Sequence, residues 1–230
     1  MNQLVTSGII LGRTDYGEAD RILTVLTPDQ GKIRLMAKGV RRAQSKLAGG
    51  IELFSVSQIS FIRGRSQLGT LISSRMQKHY GNIVKNIERT TLGYELIKLL
   101  NKNIEDEPEA EYFELLKNAL ATLDDLEINL RLIRFWFFSQ LLRLAGHTPN
   151  LNTDIAGQKL DAAKTYDFNF EDMAFSPKSA GLFTANHIKF LRLAFSKHQP
   201  KTLAQVRGGA QLVNDCLLPI EAMLHAQLRI

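Results

Sequence analysis

The apolar positions of this chain follow one period up to about residue 80 and another beyond it. In the first stretch they gather in short runs: Leu4 to Leu11, Arg21 to Thr27, Lys32 to Ala37, Ile51 to Ile62 and Leu68 to Met76 are each enriched in Ile, Leu, Val, Thr or Phe and are predicted strands. The breaks carry turn chemistry: Asp15-Tyr16-Gly17, Thr27-Pro28-Asp29-Gln30-Gly31, Gly49-Gly50 and Arg63-Gly64-Arg65. Pro28 presets φ and Gly31 accepts a positive one, so the second and third runs are expected to form a hairpin. Five short strands leave too little for a deep two-sheet sandwich and fit a partly open five-stranded barrel of the OB type.

From Ile83 the spacing becomes helical. Leu92, Leu96, Leu99 and Leu100 fall at i, i+4, i+7 and i+8, and Tyr112, Leu116, Ala119, Leu120 and Leu123 repeat that pattern after an acidic connector, Ile104 to Glu109, that contains Pro108. From Leu126 to Ala145 apolar residues cover almost the whole circumference, which predicts a central buried helix ended by Gly146 and Pro149. Residues 150–181 are polar and weakly patterned, with short extended pieces expected at Tyr166 to Phe170 and Met173 to Phe175. Helical spacing returns at His187 to Ser196 and from Gly209 to Leu228, where Pro219 is expected to kink or divide the helix. The expected fold is therefore α+β and multidomain: a barrel over residues 1–80, then a helical domain over 81–230 with 150–181 as a small irregular insertion.

Composition narrows the function. The chain has 230 residues, 44% hydrophobic and 23% charged, the proportions of an ordinary globular protein. No basic, apolar leader opens it and no stretch suits a membrane helix, so a cytoplasmic protein is expected. The single cysteine, Cys216, rules out an internal disulfide and any multi-cysteine zinc site, and is expected to be a small buried hydrophobe. Net charge is +6, but residues 1–80 carry 12 Lys or Arg against 5 Asp or Glu, while residues 81–230 carry 17 against 18. The basic character belongs to the barrel.

Catalytic chemistry finds little support. There is no glycine-rich loop with a Lys-Ser/Thr end, and His79, His147, His187, His198 and His225 are scattered without an HExxH pair or a nucleophile elbow. The pairs Asp124-Asp125 and Glu171-Asp172 lack the apolar setting that raises a carboxyl pKa. No enzyme activity and no cofactor are expected.

What stands out is the segment from Lys32 to Lys46, where Lys32, Arg34, Lys38, Arg41, Arg42 and Lys46 place six positive charges in fifteen residues with no acid among them. Lys32 and Arg34 alternate on a strand and the others follow on a loop, so the charges run from barrel face to rim, where Arg13, Arg63 and Arg65 at other strand ends join them. Such a groove binds phosphates by counterion release, as OB barrels do for single strands. Aromatics are few before Tyr80, namely Tyr16, Phe54 and Phe61, and the two phenylalanines are assigned to the core. Phosphate-dominated, sequence-tolerant binding follows. An adaptor whose barrel binds an acidic protein surface is the alternative reading.

The run Gly12-Arg13-Thr14-Asp15-Tyr16-Gly17-Glu18-Ala19-Asp20-Arg21-Ile22-Leu23-Thr24-Val25-Leu26-Thr27, then Gly31, then Ala37-Lys38-Gly39-Val40-Arg41-Arg42 with Ser45-Lys46, resembles the N-terminal region of RecO recombination mediators, and the likeness continues through Phe54 and Gly64 to Thr70. Further on, Gly146-His147-Thr148-Pro149-Asn150-Leu151 resembles the family's Gly-x-x-Pro-x-Leu element. The resemblance implies a DNA repair and recombination protein that binds single- and double-stranded DNA, anneals complementary strands, and with RecR loads RecA onto strands coated by single-strand-binding protein (SSB); RecF is a further implied partner. It also implies docking of the SSB C-terminal tail on the helical domain, for which Arg131, Arg134 and Arg143 are the residues assigned. Many members follow the Gly-x-x-Pro-x-Leu element with two CxxC pairs that hold zinc. Here Asp154 and Gly157 stand in the corresponding places, so a metal-free member is expected, with packing of residues 150–181 in place of the metal.

Overall fold

In the computed structural model, which describes residues 3–64, 67–107 and 109–230, the five apolar runs are strands: β1 (Gln3–Tyr16), β2 (Asp20–Thr27), β3 (Gly31–Ala37), β4 (Ser55–Ile62) and β5 (Leu68–His79). Arg65 and Pro108, both used in the sequence reading, lie outside the described residues. The strands close into a barrel in the order β1-β2-β3-β5-β4, with β4 pairing back onto β1 and only β3 and β5 parallel. Alternate residues of the strands point inward: Ile10, Leu23, Val25, Leu35, Ala37, Ile59, Phe61 and Leu71 fill the barrel, joined by Val40 and Ile51 from the β3–β4 connection. Removing that apolar surface from water is the main force closing the sheet.

Three strand ends differ from the sequence reading by three residues or more; one is β5, which continues past Met76 to His79. β1 does not stop at Leu11 but continues to Tyr16 through a bulge between Ile10 and Gly12, so that the turn falls at residues 17–19. A bulge bends a strand, and this one lets β1 pair with β4 through Gln3 to Ile9 and with β2 from Ile9 onward. β4 starts at Ser55 rather than Ile51, because Ala48–Gly50 form a 3-10 turn and Phe54 takes the left-handed conformation, φ 55°.

That conformation turns the buried Phe54 ring out of the barrel and against a helix. A Cβ on Gly93 would lie 2.7 Å from the ring, and Tyr94 meets its edge at 5.2 Å between centroids. Gly93 belongs to α1 (Ile87–Asn103), whose first turn is capped by the Asn86 side chain accepting from the Arg89 amide. α1 lies against β1, and α2 (Ala110–Asp124) against β2. Ile9, Leu11 and Leu26 of these two strands, which are not part of the barrel core cluster, are buried. At the far end of α1 the Lys32 ammonium donates to the carbonyls of Ile104 at 2.8 Å and Asn101 at 3.2 Å, where the helix dipole leaves negative charge. Barrel and both helices make one compact unit, Met1–Asp124; Asp125–Ile230 is the second.

The second unit is built on α3 (Leu130–Leu144), capped by Asn129 and buried without interruption from Phe135 to Leu142. Around it pack α4 (Ala185–Phe195), α5 (Pro200–Ala204) and α6 (Gly209–Gln227). Phe135 stacks on Phe190 of α4 at 5.2 Å, and the Gln140 amide donates to the carbonyls of Ala194 and Ser196 that end α4. Gly146 closes α3 with φ +84°, as its sequence position predicts. α5 was not legible in the spacing, and α6 runs through Pro219 without dividing. Cys216 is buried in α6, and that burial pushes its thiol pKa up to about 12.

The insertion contains a two-stranded hairpin, β6 (Tyr166–Asn169) with β7 (Ala174–Pro177); the Phe168 and Phe175 rings meet Phe183 tilted or edge-on, the Tyr166 ring meets Phe175, and the Tyr166 and Phe183 backbones pair. At the place of a CxxC pair, the Asp154 carboxylate is buried and accepts from the amides of Ala156 at 3.0 Å and Gln158 at 2.9 Å, while Gly157 takes φ +75°. A carboxylate used by its own turn, followed by a glycine, does not fit a zinc ion, and no group of three His, Cys, Asp or Glu is arranged for a metal among the described residues.

Two expectations test this packing. Gly31 has φ +67° and a Cβ there would fall 2.2 Å from the Asp106 carbonyl, whereas Gly12 has nothing within 4 Å of such an atom. Gly31→Ala is expected to cost more than about 1 kcal/mol in chemical denaturation and Gly12→Ala little or nothing; equal effects would refute the assignment. Asp154→Ala is expected to cost about 1–2 kcal/mol, while a chelator leaves the melting temperature of the native chain unchanged; a chelator-induced fall in that temperature would show a metal at the turn.

Candidate nucleic-acid interface

The connection after β3 is held on three sides. Gly39, at φ +65°, turns the chain, and its amide donates to the Asp20 carboxylate at 2.7 Å. The Arg41 amide donates to the Ala19 carbonyl at 2.9 Å, and farther along Ser74 of β5 donates its hydroxyl to the Leu47 carbonyl at 2.9 Å. Val40 and Ile51 enter the barrel core. With its apolar residues fixed inside, the connection presents Lys38, Arg42 and Lys46 to solvent. Among the described residues none of these three side chains has a hydrogen-bond or ion-pair partner.

Arg41 is placed differently. Its Nε lies 3.6 Å from Asp15 Oδ2 and its Nη1 donates to the Gly17 carbonyl at 3.4 Å, while Arg21 Nε donates to Asp15 Oδ1 at 2.8 Å. The hydrogen bond from Arg21, with smaller help from the Arg41 and Arg13 charges, holds the Asp15 carboxyl below its usual range against a weaker opposing effect of desolvation. Asp15 thus ties the β1–β2 turn to the basic connection and partly neutralises it.

The remaining assigned cations do not form one groove with these. Arg13 pairs with Glu52 at 3.3 Å. Arg34 is exposed in the middle of β3 with no side-chain partner among the described residues. Lys32 is a fastener of α1, not a free phosphate contact. Arg63 donates to Gln30 Oε1 at 2.6 Å, at the end of the barrel where β3 begins, opposite the end where the basic connection lies. Between Lys32 and Lys38 the strand alone spans about 20 Å. Arg65 lies outside the described residues. The structure also adds what the charge run did not include. β5 runs parallel to β3 to the basic end and carries exposed Arg75, Lys78 and His79 there, and Tyr16 is 56% exposed at the neighbouring end of β1. Phe54 and Phe61 are buried, as assigned.

In the second unit each arginine assigned to a partner is engaged internally: Arg131 donates to Asn214 at 2.7 Å, Arg134 lies 3.9 Å from Glu221, and Arg143 donates to Gln140 at 3.0 Å. One arrangement there looks catalytic: His187 has Thr184 Oγ1 2.9 Å from Nδ1 and Asp215 3.1 Å from Nε2. The Thr184 backbone amide also donates to that Nδ1, at 3.2 Å, so the ring completes the capping box of α4 rather than activating the hydroxyl. Among the described residues no helix is long and apolar enough to cross a membrane.

Comparison with known proteins agrees with this architecture. The family model described as recombination protein O N terminal matches residues 1–80, and the one described as recombination protein O C terminal matches residues 84–228. Proteins named DNA repair protein RecO share 34% identity over 179 residues in Dehalococcoides mccartyi, covering 77% of this chain and 67% of the relative, and 33% over 167 residues in Syntrophus aciditrophicus, covering 71% and 64%. The chain thus spans about two thirds of the length of the curated relatives it matches.

The Asp15 tie predicts a pH response. A carboxyl whose folded pKa is depressed adds stability above its unfolded pKa, about 3.9, and loses that contribution as pH falls through the lower folded value. In carboxyl-detected NMR Asp15 is expected to titrate below the ordinary range, and Arg21→Ala to raise it toward that range. An Asp15 that titrates normally in the native chain would remove the tie.

Proposed function

The chain belongs to the RecO family of DNA repair proteins, and on that premise we propose that it is a DNA-binding recombination mediator that anneals complementary strands and, with RecR, helps load RecA onto SSB-coated single strands. The observation that carries the DNA-binding part is the fastened connection of residues 38–54, which presents Lys38, Arg42 and Lys46 at one end of the barrel with no side-chain partner among the described residues. Arg75 and Lys78 extend the cationic surface, and Tyr16 offers one exposed ring beside it. Arg13 and Arg41 are partly neutralised by Glu52 and Asp15, and Lys32 is engaged by the α1 carbonyls, so these three contribute less.

Annealing needs no covalent step. Two strands repel through their phosphates, and a cationic surface that replaces their counterions lowers that repulsion while leaving the bases free to pair. A ring-poor, cation-rich surface suits this better than one that sequesters bases. In this proposal residues 1–80 meet DNA and residues 81–230 meet protein partners. RecR, the SSB tail and RecF come in through family membership, and Arg131, Arg134 and Arg143 would have to leave their internal partners to serve them.

Reversal of Lys38, Arg42 and Lys46 to Glu is expected to weaken oligonucleotide binding and to reduce the slope of log K against log salt by roughly 2 for single strands, if each cation neutralises one phosphate. The same variant is expected to lose annealing of SSB-coated complementary strands. Unchanged affinity and slope would remove the connection as the interface and favour an acidic protein partner for the barrel.

A further inference from the structure

At the end of the barrel opposite the basic connection, a cavity of about 410 Å³ opens between β3 and Arg63, Gly64, Gln67 and Gly69. It exists because β3 and β5 pair only through Arg34, Leu35 and Met36; among the described residues, β3 from Gly31 to Ile33 has no ladder partner on that side. Leu35 and Phe61, both buried, form the depth of the slot, and Ile33 one wall. Arg34, Arg63 and Gln67 edge it.

The hydrogen bonds already present decide which of these groups are free. Arg63 is held by Gln30, whose own amide donates to Asp29 at 3.2 Å, and Lys32 on the lining is held by the α1 carbonyls. Arg34 and Gln67 have no side-chain partner among the described residues. The lining also includes one carboxylate, Asp106, which disfavours a compact polyanion such as a free phosphate. The cavity lies within the range of roughly 300–1,000 Å³ typical of small-molecule sites. A flat group with apolar faces and a hydrogen-bonding edge matches an apolar depth, a planar guanidinium and a carboxamide that both donates and accepts.

We propose that this slot takes one unstacked base of single-stranded DNA, with the Gln67 amide on its polar edge and the Arg34 guanidinium against its face. The proposal rests on the DNA-binding reading above and deepens it. Arg34 in β3 and Lys38 just past its end are four residues apart, about 13 Å of extended chain, so a base seated at the slot and phosphates gathered at the basic connection occupy different parts of the barrel. A duplex, whose bases stay stacked, engages only the second.

The test compares three fluorescein-labelled ligands by anisotropy: a thymidine oligonucleotide, the same strand with abasic sites, and a duplex. Gln67→Ala combined with Arg34→Lys keeps the charge and removes the amide and the plane. It is expected to weaken binding of the thymidine strand by at least about fivefold, the lower end of single-base stacking effects, with little change for the abasic strand or duplex. A strand carrying 2-aminopurine is expected to brighten on the native chain and to brighten much less on the double variant. Loss of affinity for all three ligands alike would make Arg34 an ordinary phosphate contact and overturn the slot. So would unchanged thymidine binding, or no 2-aminopurine response on the native chain. If the native chain binds none of the ligands, the DNA-binding reading itself fails, a result separable from failure of the slot alone.

Discussion

The barrel's use of its surface depends on one contact, the Lys32 ammonium on the last carbonyls of α1. A helix C-terminus leaves several carbonyls without partners, and burying them against a sheet without a donor would be costly. Lys32 supplies the donor from β3 itself. Next to it, Gly31 brings its backbone so close to Asp106 and Glu107 that no other residue fits. These two neighbours fix the chain between α1 and α2 at the mouth of the barrel where β3 begins. The connection from β3 to β4 leaves at the other end, and that is where the free cations collect.

The same constraint explains what a reading of the chain alone can and cannot reach. Five strands and the β2–β3 hairpin are visible because alternation and Pro28-Asp29-Gln30-Gly31 are local signals. The bulge in β1 is not local: an extra residue becomes a bulge only against the strand it pairs with. Lys32 and Arg34 look equivalent at period two, and only the arrival of α1 separates a fastener from an exposed cation. Asp15 and Asp20 lie outside the basic run in sequence yet touch it in space, so the run looks freer of acids than it is. Phe54 was readable as buried but not as a helix contact, since that depends on a positive φ which a phenylalanine rarely adopts.

In the second unit local chemistry replaces a cross-link. A zinc site holds a turn by four bonds from two separated pairs of ligands. Here Asp154 holds its turn through two backbone amides, and the joining of distant pieces falls to rings: Phe175 of the hairpin meets Tyr166, Phe168 and Phe183, and Phe183 precedes α4 directly. Arg192 of α4 then donates twice to the Leu151 carbonyl, at 2.9 and 2.7 Å, closing the loop from the other side. Hydrogen bonds to a charged group are stronger than neutral ones, so a turn built this way needs no metal to be specific.

The distribution of paired and unpaired cations bears on how the barrel meets a polyanion. Arg13, Arg21 and Arg41 each face a carboxylate, so bringing a phosphate to them first requires competition with an existing partner. Lys38, Arg42 and Lys46 are exposed and have no side-chain partner among the described residues, so their counterions leave on contact without competition from one. Exposed charges act over about one Debye length, near 8 Å at physiological salt, which is less than the length of β3. A strand on the connection is therefore nearly blind to charge at the far end of the barrel. That end has Gln30, Gln67, two arginines, Lys32 and one acid on its lining, so the proposed slot would add shape and hydrogen bonding to charge there.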